Sequence, residues 1–198
     1  MHSGRYDNQA ANIRRAAQAF QQTLDAEGIA LKILAAAEVR LDHEILTWVA
    51  AEQIPFLGQW QGERVMLLEL PHSHVPVGAD KLVAWLRKQN IRPMIAHPER
   101  NKDILRSVDK LLPFVQMGCL LQVTAGAVAG GFGEYARLRA VDLLEKGWVT
   151  VLASDAHNME ARPPELEPGR AAAALVVGEE ESWQLVRDRP AAIIGATA

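Results

Sequence analysis

Val65-Met-Leu-Leu-Glu-Leu70, the stretch from Ala79 to Asn90, and Pro93-Met-Ile-Ala96 follow one another along the chain, and their reading decides the fold. The first is an apolar run of strand length carrying one carboxylate. The second puts Leu82, Val83 and Leu86 on a single face at helical spacing. The third is again a short apolar run. A helix between two such strands is the crossover that parallel pairing requires, so this is a βαβ unit.

The same alternation extends outward in both directions. Upstream, Ile13, Ala16, Ala17, Phe20 and Leu24 form a helical stripe from Asn8 to Glu27, stopped by Gly28. Leu31-Lys-Ile-Leu-Ala-Ala-Ala37 reads as a short strand ending in Glu38. Asp42 caps a helix through Ile45, Leu46 and Val49 that Ile54-Pro-Phe-Leu-Gly58 breaks. Downstream, the pattern predicts a helix over 111–117, a strand over 120–124, a helix over 134–146 and a strand over 149–153. Ala171 to Val177 and Ser182 to Arg187 read as helices, and Arg162 to Gly169 as a loop. No linker or repeat interrupts the series, so residues 1–198 read as a single α/β domain.

Bulk properties remove several function classes. Of the 198 residues 49% are hydrophobic and 23% charged, enough apolar mass for one core. A formal charge of −3 supplies no basic field for nucleic acid. No apolar run has the length of a membrane span, and the polar start lacks a signal-peptide core, so cytoplasmic is the expected location. The lone Cys119 excludes an internal disulfide. It lies in an apolar run, and no Gly-x-Ser-x-Gly elbow is present, which disfavours cysteine and serine nucleophiles.

Polar residues gather at one end of the strands. Glu38, the pair His72 and His74, His97, Thr124, and Asp155 with His157 each follow a different apolar run. In parallel α/β folds the C-terminal strand ends share one face, where active sites are built. Taken singly, each residue has an ordinary reading as a loop or hydrogen-bonded side chain. Their coincidence over five strand ends, four of them supplying Glu, His or Asp, points to a hydrolytic metal site. Arg100 and Arg162 lie close in sequence to His97 and His157, and a guanidinium fork matches two phosphate oxygens. Metal ligands beside two arginines suit a phosphate monoester.

The strings Ile95-Ala-His-Pro-Glu-Arg-Asn101 and Ala153-Ser-Asp-Ala-His-Asn158 resemble the polymerase and histidinol phosphatase (PHP) superfamily. Within it the chain resembles the bacterial protein-tyrosine phosphatases of capsular and exopolysaccharide synthesis. Gly4-Arg-Tyr-Asp-Asn8, Ala37-Glu-Val-Arg40, Leu68 to Pro76, Thr124-Ala-Gly126 and Phe132-Gly133 carry the likeness over nearly the whole length. It implies a distorted (β/α) barrel and a manganese cluster, with iron or zinc as alternatives. Glu38, His74, His97, Asp155 and His157 would be metal ligands, with His72 the other candidate of its pair. Arg100 and Arg162 would be the catalytic, phosphate-binding residues. The implied reaction is attack of metal-bound hydroxide on the phosphotyrosine of a polysaccharide-export tyrosine kinase.

The likeness also has a gap. The family pattern opens with a His-x-His strand, an acidic loop and a Thr-Pro-His strand end, and this chain starts at the following Gly-Arg-Tyr. A barrel of this type runs to about 250 residues, so roughly 50 of the pattern have no counterpart here. His2 stands two residues before Gly4, a poor substitute for the family ligand four before it. The expectation is an N-terminally truncated barrel with little turnover of its own, whose open edge favours homo-oligomers. Two further readings stand beside it: a phosphatase of a small phosphomonoester on the same fold, and an inactive fragment that binds without hydrolysing.

Overall fold

The computed structural model describes Met1 and residues 8–196, so His2 and most of the Gly4-Arg-Tyr-Asp-Asn8 match lie outside the described residues. The elements run α1 (Ala10–Ala26), β1 (Glu38–Arg40), α2 (Ile45–Ala50), β2 (Gly58–Trp60), β3 (Glu63–Glu69) and α3 (Ala79–Lys88). They continue with β4 (Ile91–Ala96), α4 (Lys102–Arg106), α5 (Leu112–Gln116), β5 (Leu120–Thr124), α6 (Ala125–Val128) and α7 (Glu134–Glu145). Last come β6 (Val151–Ala153), α8 (Glu167–Val177), α9 (Glu179–Trp183) and α10 (Arg189–Ile194). Five strands pair in parallel in the order β1-β3-β4-β5-β6, and β2 lies antiparallel on the first half of β3.

Both faces of this sheet are covered, which is why its strands read as nearly continuous apolar runs. One face presents Val39, Met66, Leu68, Ile95, Leu121 and Leu152 to a large core completed by Val83, Leu86, Phe114 and Leu143 of the helices. Each fully buried side chain of this kind contributes about 1.5–3 kcal/mol. The alternate residues Val65, Met94, Leu120 and Val151 turn to the other face and meet Ile193 of α10. The sheet curls until Glu38 of one end strand and Val151 of the other line one apolar cavity of about 210 Å³. This is the α/β parallel architecture that the alternation foretold.

The contact between β2 and α10 is a backbone contact. A Cβ placed on Gly58 would lie 1.9 Å from the carbonyl oxygen of Ile193, so no other residue fits there. At the start of β3, Glu63 ties the sheet to its helical layer. Its carboxylate lies 2.8 Å from Arg87 of α3 and 2.6 Å from Nε of Arg92 on β4. Burial alone would raise this carboxyl, but the hydrogen bonds and charges of Arg87 and Arg92 outweigh it and hold it below its ordinary value.

Where the elements depart from expectation, identifiable hydrogen bonds intervene. The run Leu31 to Ala37 is not a strand. The side-chain amide of Gln21 on α1 donates to the Leu31 carbonyl at 3.0 Å and accepts from the Ile33 N–H at 2.7 Å, occupying groups a strand would have used. Leu31 and Leu34 stay exposed, and pairing starts only at Glu38. Glu38 thus opens β1 instead of following it. The strand expected from Val149 starts at Val151, because the Thr150 hydroxyl accepts the Leu121 N–H. The loop expected over 162–169 ends early, since Pro168 fits the first turn of α8. Helix α1 forms as expected, but of its apolar stripe only Leu24 is buried.

Two measurements follow. Gly58→Ala is expected to lower unfolding stability by about 3 kcal/mol, read from the urea midpoint, because backbone cannot yield as a side chain can. Because Glu63 is depressed in the folded state, its contribution is present above the usual carboxylate range and is lost as pH falls through its folded pKa. Glu63→Gln should therefore be less stable than wild type near neutral pH, and the two stabilities should converge in acid.

Candidate metal centre

Register builds the site. The last residue of β3, Glu69, pairs with Ala96, the last of β4, so its carboxylate arrives beside the next residue, His97. On β1, Glu38 pairs with Leu67 and Arg40 with Glu69, and Arg40 holds Glu69 at 2.8 Å. The His97 Nε2 lies 2.8 Å from Oε1 of Glu38. Glu38, Glu69 and His97 each offer one ligand atom, and the three atoms lie within 4.8 Å of one another. Two carboxylate oxygens and one imidazole nitrogen form a donor set that fits manganese, iron or zinc. Burial pushes the Glu38 carboxyl up, but the hydrogen bond and charge of His97, with Arg100 beyond, bring it below its ordinary value. It is therefore a carboxylate, ready to ligate, at neutral pH.

Two residues leave their strands in the left-handed region. His97 has φ 34° and Asp155 has φ 51°, conformations that cost side-chain-bearing residues energy and cluster at functional sites. The turn after His97 carries Arg100. Within it Glu99 is fully buried and accepts the Thr124 N–H at 3.0 Å, which fastens the turn to the end of β5. Asn101 caps α4 by accepting the N–H groups of Asp103 and Ile104. Its amide also donates to the carbonyls of Pro71 and His74, at 2.6 and 3.0 Å.

The loop after β6 is built on Asn158, whose Oδ1 accepts the N–H groups of Glu160, Ala161 and Arg162. That fold-back returns Arg162 to contact His157 Nδ1 and to stand 3.7 Å from Asp155. Arg100 reaches the same carboxylate oxygen at 2.6 Å, and His157 Nδ1 lies 3.7 Å from its partner oxygen. Two guanidiniums thus converge on one carboxylate, each keeping donors to spare.

Glu38, His97, Arg100, Asp155, His157 and Arg162 all line one cavity of about 1020 Å³. Of the histidine pair, His72 lines it. His74 is exposed, does not line the cavity, and has its Nδ1 2.8 Å from the Ser73 hydroxyl. Glu69 is the residue sequence reasoning passed over. The available signal was a carboxylate interrupting an apolar strand at its C-terminal end. Cys119 sits at the other end of β5 from the site, and burial pushes its thiol up to about 12.

The model of the family described as "Capsular polysaccharide synthesis, CpsB/CapC" matches residues 1–195. The tyrosine-protein phosphatase YwqE of Bacillus subtilis is 34% identical over 161 residues, covering 81% of this chain and 62% of the relative. CpsB of Streptococcus pneumoniae, also named a tyrosine-protein phosphatase, is 33% identical over 83% of this chain and 68% of its own length. The putative tyrosine-protein phosphatase CapC of Staphylococcus aureus is 27% identical, with 61% of its length covered. The chain thus spans about six-tenths of the length of YwqE and CapC. A structure from crystallographic work on YwqE and CpsB, described there as unique metal-dependent tyrosine phosphatases, superposes with TM-score 0.88 at 30% identity. It covers 99% of this chain and 78% of that one.

Calorimetric titration with manganese tests the ligand set. Glu69→Gln should weaken binding by at least the roughly 10-fold that loss of even an outer-shell partner costs, while His74→Ala should leave it unchanged. The reverse result would restore His74 to the site.

Proposed function

Because the chain belongs to the capsular polysaccharide synthesis family CpsB/CapC, we propose that it is a metal-dependent protein-tyrosine phosphatase. One observation carries the reading: a carboxylate–carboxylate–imidazole triad within 4.8 Å shares its cavity with two arginines that meet on Asp155. Relatives named as tyrosine-protein phosphatases support the substrate class. The substrate protein would be a tyrosine kinase of polysaccharide export.

Glu38, Glu69 and His97 would hold manganese, and Asp155 and His157 would complete neighbouring positions. Manganese bound there supplies charge neutralisation at the phosphoryl group and makes hydroxide available near neutral pH. The remaining work falls to the chain. Arg100 and Arg162 would hold the non-bridging phosphate oxygens with the donors that Asp155 leaves free. Asp155 keeps both guanidiniums aimed into the cavity before substrate arrives, so little ordering is left for the reactive step. Glu99 fixes the turn that carries Arg100, and Asn158 fixes the loop that returns Arg162. Cys119 has no part, being buried at the far strand end with its thiol protonated.

The test is hydrolysis of a phosphotyrosine peptide by the purified chain with manganese, beside histidinol phosphate and a nucleoside monophosphate. Turnover, expected to be low for this chain, should be confined to the aryl phosphate and abolished by chelator. Arg100→Lys should lower kcat/KM by roughly 100-fold, since a point charge does not replace the bidentate fork. Cys119→Ser should hydrolyse at the wild-type rate. Loss of activity in that variant with indifference to chelator would overturn the mechanism, and faster hydrolysis of an alkyl phosphate would overturn the substrate class.

A further inference from the structure

The metal cavity has a neighbour. Phe132 and Arg162 stand in the walls of both the large cavity and a second one of about 300 Å³. The second is walled otherwise mostly by small or flat groups, among them Gly126, Gly131 and Pro163, together with Glu165. Phe132 is held in place from several sides. The Arg100 guanidinium lies over its ring, 4.9 Å from the centroid. A Cβ on Gly126 would come within 3.3 Å of ring atom Cε2, and one on Gly131 within 3.2 Å of the Gly126 carbonyl oxygen. The two glycines therefore let the backbone close around the ring, and side chains there would push it out of place.

We propose that this second cavity is an aryl subsite, with Phe132 as its specificity-determining wall. The inference rests on the phosphatase reading of the metal cavity and names what lies beyond the phosphate. Arg100 lies over the Phe132 ring and Arg162 lines the same second cavity, so a phosphoryl group held by the two arginines has that cavity open to its ester oxygen. A ring attached to that oxygen enters the slot and packs against Phe132 at the 4.5–7 Å centroid separations that aromatic pairs prefer. An alkyl phosphate leaves the slot to water. The arrangement thus selects phosphotyrosine by the ring and not by the phosphate.

Calorimetric titration of the manganese-loaded chain with phenylphosphonate and methylphosphonate separates these roles without relying on turnover. Wild type is expected to bind the phenyl compound roughly 5- to 10-fold more tightly, the scale of one aromatic pair. Phe132→Ala should remove that preference and leave methylphosphonate affinity within about 2-fold. Phe132→Leu, which retains apolar bulk, should behave likewise, and it keeps the test usable where alanine unfolds the loop. Equal weakening of both ligands in Phe132→Leu would reduce Phe132 to a support for Arg100 and overturn the subsite. Equal affinity of wild type for the two compounds would overturn it as well, leaving the phosphate site intact. Binding of neither compound by wild type would overturn the phosphatase reading, and the subsite with it.

Discussion

The parallel ladder between β3 and β4 is the constraint on which the rest depends. Six Cα pairs run from Arg64 opposite Ile91 to Glu69 opposite Ala96. Side chains alternate along a strand, so a slip of one residue would turn Glu69 away from His97 and bury it among the helices. The same slip would carry Met66 and Leu68 out of the main core and Val65 into it. Packing on both faces therefore enforces the register that brings Glu38, Glu69 and His97 together, and the apolar cost of a misaligned ladder protects that geometry.

Beyond the strand ends, polar bonds take over from packing. His97 and Asp155 both adopt left-handed backbone, which sends the chain sharply off the sheet just where each side chain is needed. Neither turn rests on a glycine. Each is held by a side chain a few residues on, Glu99 for the first and Asn158 for the second, working through backbone N–H groups. The arginines arrive at the ends of these braced segments, which is how two long, flexible side chains come to share one carboxylate.

Legibility followed the source of the stabilising energy. The βαβ alternation is a matter of apolar periodicity, and the strand after Val65, the helix after Ala79 and the strand before His97 could all be read directly. The family likeness in His97-Pro-Glu-Arg100 and Asp155-Ala-His157 was equally open, and His97, Arg100, Asp155 and His157 share a cavity. Two errors arose where a remote side chain decided the outcome. Gln21 satisfies the backbone of Leu31 and Ile33 from across a turn, so an apolar run was mistaken for a strand. Glu69 was passed over because its place beside Glu38 and His97 is set by cross-strand register, which apolar periodicity does not specify. His74 was preferred to His72 because the family's histidine directly precedes Val-Pro; its ring lies exposed with Nδ1 beside the Ser73 hydroxyl.

Cys119 has a consequence outside catalysis. With its thiol pushed up to about 12 by burial, the thiolate fraction near neutral pH is vanishingly small. Peroxide and electrophiles attack the thiolate, so burial disfavours the first rung of the sulfur oxidation ladder at this residue. A phosphatase that depended on a low-pKa cysteine would register oxidative stress by falling silent. The chain described here carries its one sulfhydryl buried at the strand end away from the cavity, outside the reach of that kind of control.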